Sequence, residues 1–434
     1  MSEKLTVKRV YAVCKMRLEA PALIGTSEDI ERDRDVALNK DGNPFIPGTT
    51  LAGILRSSLT VSDADTLFGK RIRAKGDEIK QSPLWVYDAE IFNGQIITID
   101  NVSLDENQRN AKIPENPELD HMNKSAKNEA KFDMQAVDKG AEFDLRLCLI
   151  VRDGDTKTEI LLARLLETLN NLYVGGKTSR GFGKLSCFGV YKHAFDFTGA
   201  DKQSQMDAWL AFEDWKTLET DEYRQDLVFI PPVGVSTLSA KLTLNGAVLV
   251  RDIYSVEDDE DFAHTKSAGS SVIYGTSWAG ALRGGLARLF KSNGYESAEA
   301  FLDSVFGRQY GDKAVTEPSK IRVDASYISG GERLIYSRNK IDRFTGGTAN
   351  TALFTNRPHF GGKTILTVQF KTADVAIREL LLLALDALNK GLITLGGETS
   401  IGRGVFTVGR VSLDGQKAQF GAKPTALKEA LSHV

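Results

Sequence analysis

The sequence predicts an α+β protein made of one folded unit used twice, and three observations carry that prediction. Four sequence blocks recur in the same order in the two halves of the 434-residue chain. Each half runs through the same succession of strand-type and helix-type periodicity. A strongly acidic stretch lies between the two series.

The blocks come first, because a missed repeat miscasts the whole fold. PFIPGTTLAGILRSSL (44–59) matches VIYGTSWAGALRGGL (272–286). LFG (67–69) and LWVYDA (84–89) match VFG (305–307) and KIRVDA (320–325). LDHMNKSAKNEAKF (119–132) matches IDRFTGGTANTALF (341–354), and YVGGKTSRGFGKL (173–185) matches TLGGETSIGRGVF (394–406). The offsets are 227 from Gly48 to Gly275, 238 from Gly69 to Gly307, 236 from Asp88 to Asp324, 222 from Asp120 to Asp342, and 221 from Gly175 to Gly396. Near-equal offsets in one order mean duplication with small loop insertions. The expected organisation is a first domain over 1–195, an acidic linker over 196–227 with a short helix near Met206–Trp215, and a second domain over 228–434.

Within each unit the periodicity gives the elements. VYAVCKMRL alternates apolar residues as a half-buried strand does. LAGILRSSL repeats leucine at i+4 (Leu51, Leu55, Leu59), and Thr49 or Thr50 is a natural N-cap for that helix. FDLRLCLIV reads as a strand, EILLARLLETLNNL as an amphipathic helix, and the Gly-rich GGKTSRGFG leads into the strand KLSCFGV. TILTVQF, VAIRELLLLALDALNK, GGETSIGRG and VFTVGRV repeat the series. That succession is the split βαβ, ferredoxin-like arrangement (βαββαβ), which is also the RRM-like RNA-recognition fold.

Composition excludes several classes. With 41% hydrophobic and 26% charged residues the chain reads as globular, without an apolar run long enough to span a bilayer. Cys14, Cys148 and Cys187 lack metal or disulfide spacing, and a cytoplasmic location follows as the expectation. The net charge of −3 hides a segregation: residues 196–226 carry −6, which leaves the rest at +3. Binding of RNA would therefore need a local basic groove.

The Gly-rich loops are not P-loops. Asn171 stands where that motif needs glycine, Glu398 replaces Lys177 in the second copy, and the order helix–loop–strand is reversed. Their backbone amides, with Lys177, Thr178, Ser179 and Arg180, and with Thr399, Ser400 and Arg403, suit phosphate oxygens, although a plain tight turn would look the same. The PGTT and YGTS helix starts offer Thr49, Thr50, Thr276 and Ser277 to phosphate, with Arg56 and Arg283 farther along the same helix. Before each helix lies an acidic loop, with Asp33 and Asp35 in one copy and Glu257 through Asp261 in the other. A carboxylate beside phosphate is unfavourable unless it holds Mg²⁺ or assists a 2′-OH, and otherwise it is simply solvated. No two histidines have ligand spacing.

The ordered combination of ALIG, FIPGTTLAGILR, IDRFTGGTANTALF and GGKTSRGFG resembles the RAMP superfamily. More narrowly it looks like a fused double backbone subunit of a type III CRISPR effector, of the III-D kind, over about 10–190 and 235–412. The resemblance implies a chain that binds guide crRNA and target RNA among other RAMP and CRISPR effector subunits. It also implies thumb-like insertions at 90–140 and 326–360 with Met122 and Phe344 as wedges. It further implies endoribonuclease cleavage of target RNA to a 2′,3′-cyclic phosphate, with Asp35 (Asp33 as understudy) and Asp261 as catalytic, divalent-metal-holding residues. A non-catalytic scaffold and a precursor-processing endonuclease are the alternatives. Departures from the pattern are Tyr274 for Pro47, Glu398 for Lys177, and NKSAKNEA in place of glycines.

Overall fold

A computed structural model of the chain describes residues 5–25, 36–70, 81–99, 134–252, 255–258, 260–295, 298–310, 315–421 and 425–432. Asp33, Asp35 and Met122 lie outside the described residues.

The first half is built around the strand Thr6–Leu18, which pairs antiparallel with Glu142–Arg152 on one side and Leu185–Asp196 on the other. The short strand Leu84–Val86 adds to the outer edge of Glu142–Arg152. In chain order the sheet therefore reads fourth, first, third, second, the ferredoxin-like order. The second half repeats it: Val235–Asn245 lies between Lys363–Lys371 and Val405–Leu413, and Ile321–Val323 sits at the edge. Two tandem ferredoxin-like βαββαβ units are what the duplication predicted.

Period-two burial explains the layers. Val10, Ala12, Cys14, Met16 and Leu18 point into one core with Leu51, Leu55, Leu161, Leu162 and Leu165 from the two crossover helices, Gly48–Ser57 and Thr158–Glu167. The matching core of the second half gathers Leu238, Ala240, Leu242 and Leu244 with Trp278, Leu282, Leu380, Leu381 and Leu385. The opposite faces of the two sheets differ. In the first half Tyr11, Val13 and Cys148 meet Phe195, Leu218, Trp209, Phe212 and Trp215. The acidic segment after residue 196 thus packs its aromatic side chains on that sheet rather than spanning open solvent. Its helix is Lys202–Leu210, earlier than the Met206–Trp215 expected, and Trp215–Leu218 forms a separate 3₁₀ turn. In the second half the same face exposes Lys241, Thr243 and Asn245.

All three cysteines are buried and unpaired. No helix of the described residues is long and apolar enough to cross a membrane.

Candidate nucleic-acid interface

The first crossover helix of each half, Gly48–Ser57 and Gly275–Ser292, begins one residue before its pair of hydroxyl side chains. Pro47 and Tyr274 occupy the N-cap positions, neither helix has a side-chain cap, and Thr49, Thr50, Thr276 and Ser277 sit in the first turn. This corrects the expectation of a threonine N-cap. In the first half Asp88 does the capping from the link between the strands Leu84–Val86 and Ala89–Phe92, accepting the Gly48 N–H at 2.6 Å, and its negative charge suits the helix N-terminus.

The duplicated arginines turn to the second helix of their own unit. Arg56 donates to Gly69 O at 2.8 Å and pairs with Asp65; Arg283 pairs with Asp303. The repeated position is accounted for by a repeated brace between helices.

The seam between the halves joins the two motifs that the sequence left 100 residues apart. The Gly-rich loop of the first half abuts the helix start and edge strand of the second. A Cβ on Gly181 would lie 2.5 Å from Asp324 Cα, and one on Gly275 would overlap Arg180 O and Val323 O. Arg180 donates to Phe306 O at 2.5 Å and Ser319 Oγ at 3.4 Å, and burial, then Arg283, push its pKa down to about 10. Tyr173 and Lys184 donate to the buried Asp324 at 3.0 and 2.7 Å, with Arg322 stacked 4.0 Å over the Tyr173 ring. Phe182 stacks on Tyr274, and Asp138 accepts from Ser267 Oγ and the Ala268 N–H at 2.6 and 2.7 Å. The turn Thr178–Arg180 of one half thereby packs against the start of the helix that carries Thr276 and Ser277 in the other, while the Arg180 side chain is spent on the seam. Thr49 and Thr50, and Thr399 and Ser400, belong to the outward-facing copies of these elements.

Sequence alignment misplaced one member. Ala89 pairs with Ile46, and Ser326 pairs with Ile273, so the spatial match of Asp324 is Tyr87 and not Asp88. The two Asp-Ala dipeptides are one residue out of register. One caps its own helix and the other binds the neighbouring unit.

The thumb region of the second half is an antiparallel ribbon, Tyr336–Ile341 with Thr348–Arg357. Asp342 holds its turn by accepting the N–H groups of Phe344 and Thr345 at 2.9 and 2.8 Å, and Phe344 stands 98% exposed at the tip. Three consecutive residues at the ribbon base gather the other parts. Thr355 N–H donates to Asp261 Oδ2 at 3.0 Å, Asn356 donates to Glu398 at 3.0 Å, and Arg357 pairs with Glu257, Asp258 and Glu260. Lys266 and Arg333 also pair with Glu257. Burial alone would raise the Glu260 carboxyl, but the N–H groups of Glu257 and Asp258 and the Arg357 guanidinium hold it below the usual range. Of the acids described in this loop, Asp261 is the one without a cation. It is exposed, and among the described residues its Oδ1 has no partner.

Strand register also fixes equivalences in the acidic loops. Gly25 bridges Val36 as Arg251 pairs with His264, so His264 matches Val36. Counted along the sequence from that pair, Asp33 and not Asp35 stands where Asp261 stands. Glu398 is partnered by Arg338, Arg403 and Asn356, so its charge is not free. Among the described residues no group of three potential metal ligands occurs.

No curated protein matches the chain. A family model described as RAMP superfamily matches residues 15–186 and 256–407, one stretch in each half and together more than half of the chain. The chain therefore belongs to the RAMP superfamily of CRISPR-associated RNA-binding proteins, and carries that fold twice.

Proposed function

We propose that the chain is a double backbone module of a type III CRISPR effector, III-D-like, that holds guide crRNA and cuts the complementary target RNA. The observation that carries the cutting role is Asp261. In a loop whose other described acids are each paired with Lys266, Arg333 or Arg357, it is the one described acid with no cation beside it, and it stands exposed at the base of a protruding ribbon. Guide pairing would supply the sequence specificity while the protein recognises shape and backbone.

The chemistry follows from the residues. Phe344, exposed at the ribbon tip, wedges between bases of the bound RNA, and at the ribbon base, beside Asp261, a separate nucleotide is held with its 2′-OH in line with the adjoining phosphate. Asp261, its Oδ2 fixed by the Thr355 N–H, presents Oδ1 to the 2′-OH proton. The 2′-oxygen attacks the phosphorus, the bond to the 5′-oxygen breaks and that oxygen takes a proton from water, and a 2′,3′-cyclic phosphate and a free 5′-OH remain. A hydrated Mg²⁺, which needs only one or two carboxylates beside substrate phosphate, fits Asp261 and would stabilise the charge on phosphate. Lys177, Thr178, Ser179, Thr276 and Ser277 would hold phosphates across the seam. The cytoplasm is the proposed site of action.

The test is cleavage of guide-complementary RNA by the assembled complex. Asp261→Ala should slow one cut by about 100-fold or more while guide binding persists. Asp258→Ala, which removes an exposed ion-pair partner, should leave it. Asp33→Ala should affect the other cut more than Asp35→Ala does. If every cut survives when Asp33, Asp35 and Asp261 are all replaced by alanine, the chain is a scaffold and another subunit cuts.

A further inference from the structure

The second half lacks the lysine of the first at its Gly-rich loop, and what stands there instead points to a ligand. Lys177 and Glu398 occupy the same left-handed backbone position, with φ of 51° and 58°. Around Glu398 the second half places three arginines. Arg338 comes from the ribbon and Arg403 from the loop itself, both paired with Glu398. Arg251 lies across Gly397, where an added Cβ would be 3.1 Å from its Nε. The first half has Gly25 and Phe182 where the second has Arg251 and Arg403.

Two guanidiniums thus hold the one carboxylate, and a third, Arg251, stands next to them. Arg251 has no hydrogen-bond or ion-pair partner among the described residues; its Nε is buried and its guanidinium lies 5.2 Å from the Phe262 ring centroid. Burial lowers the pKa of both Arg251 and Arg403, and Arg338 lowers them further. A half-buried cation walled in by like charges is costly unless an anion joins it. The planar fork of arginine matches phosphate oxygens in pairs. At the rim stands Tyr336, 47% exposed, with its ring centroid 5.5 Å from the Arg403 guanidinium and 5.9 Å from that of Arg338. An exposed ring beside a phosphate site is a platform for a base.

We propose that the second half binds one phosphodiester of single-stranded RNA in a pocket formed by Arg251, Arg338 and Arg403, with the adjoining base on Tyr336. Glu398 sets the arginines in place and does not oppose the RNA. The inference rests on the RNA-binding reading above and names one of its contacts.

The test uses the full chain, a fluorescently labelled single-stranded RNA, and anisotropy titrations across a salt series. Arg251→Ala should weaken binding about 5- to 10-fold and reduce the salt slope by about one. Its thermal midpoint should not fall, because the side chain has no hydrogen-bond or ion-pair partner among the described residues. Arg251→Lys should keep most of the slope and recover part of the affinity. Arg410→Ala, at an exposed position on the strand Val405–Leu413, should match the wild type. If Arg251→Ala binds with wild-type affinity and slope, the pocket is wrong while RNA binding stands. If the wild-type chain shows no salt-dependent binding, the RNA reading falls and the pocket with it.

Discussion

The two Gly-rich loops have the same backbone and opposite surroundings. Each enters through a left-handed Lys177 or Glu398, makes one 3₁₀ turn, and leaves through a left-handed glycine, Gly181 or Gly402. Around Gly181 the neighbouring unit is in contact, whereas a Cβ on Gly402 would meet nothing within 4 Å. A duplicated surface element has therefore split its work. One copy is buried in a seam and offers only its first residues outward; the other is free on the surface and carries a cluster of arginines. Repeating a motif preserves its geometry, but its neighbours decide what that geometry does.

The largest expected effect attacks the seam. Gly275→Ala should cost several kcal/mol or abolish folding of the pair, because the new methyl meets backbone oxygens that cannot yield. Gly280→Ala, in the same helix with open space, should be neutral or stabilise by about 0.5–1 kcal/mol. Thermal unfolding of the two variants compares them directly, and similar midpoints would remove the close approach at Gly275 from the account.

Next comes Asp324→Ala. Removing the 4%-exposed carboxylate strands Lys184 and the Tyr173 hydroxyl at the seam, at about 2–4 kcal/mol. Asp88→Ala, one register position away, loses only a helix cap, at about 1 kcal/mol. Equal losses in denaturant titrations would undo the distinction between the two aspartates.

A smaller difference separates the halves in acid. His264, matched by Val36 in the first half, is fully buried, and its Nδ1 accepts the Val250 N–H at 3.1 Å. Burial first, then His359 and Arg333, push its pKa down to about 3, against about 6.5 in an unfolded chain. Between those values the unfolded state binds the extra proton. Its contribution is thus fully present above about pH 6.5 and is lost as pH falls toward about 3, by up to about 1.4 kcal/mol per pH unit. Denaturation series from about pH 7 to about pH 5 should fall less steeply for His264→Val than for the wild type. Parallel slopes would clear His264 of that role.

Much of this was legible in the chain because it depends on local order. Alternation in VYAVCKMRL names the residues that face the helices, and i+4 leucines name the side of each helix that is buried. Four repeated blocks are enough to predict two like units, since a repeated pattern folds by the same local rules. Side-chain partners were not legible in that way. Thr49 and Thr50 looked like caps because threonine caps helices, yet Asp88, 40 residues away, takes the job. Arg56 and Arg283 looked outward because arginine suits phosphate, yet each has an acid on the next helix. Nothing near Arg251 or Arg338 marked them, since their common neighbour Glu398 is more than 50 residues from either.

Fold class, the existence of the repeat and the identity of the acidic loops are properties of residue order, set by periodicity and turn chemistry acting over a few residues. Which aspartate caps, which pairs across the seam and which remains free depends on strand register and on the approach of two separately folded units. Those are long-range pairings, and a one-residue shift in register is enough to exchange the partners of two otherwise identical dipeptides.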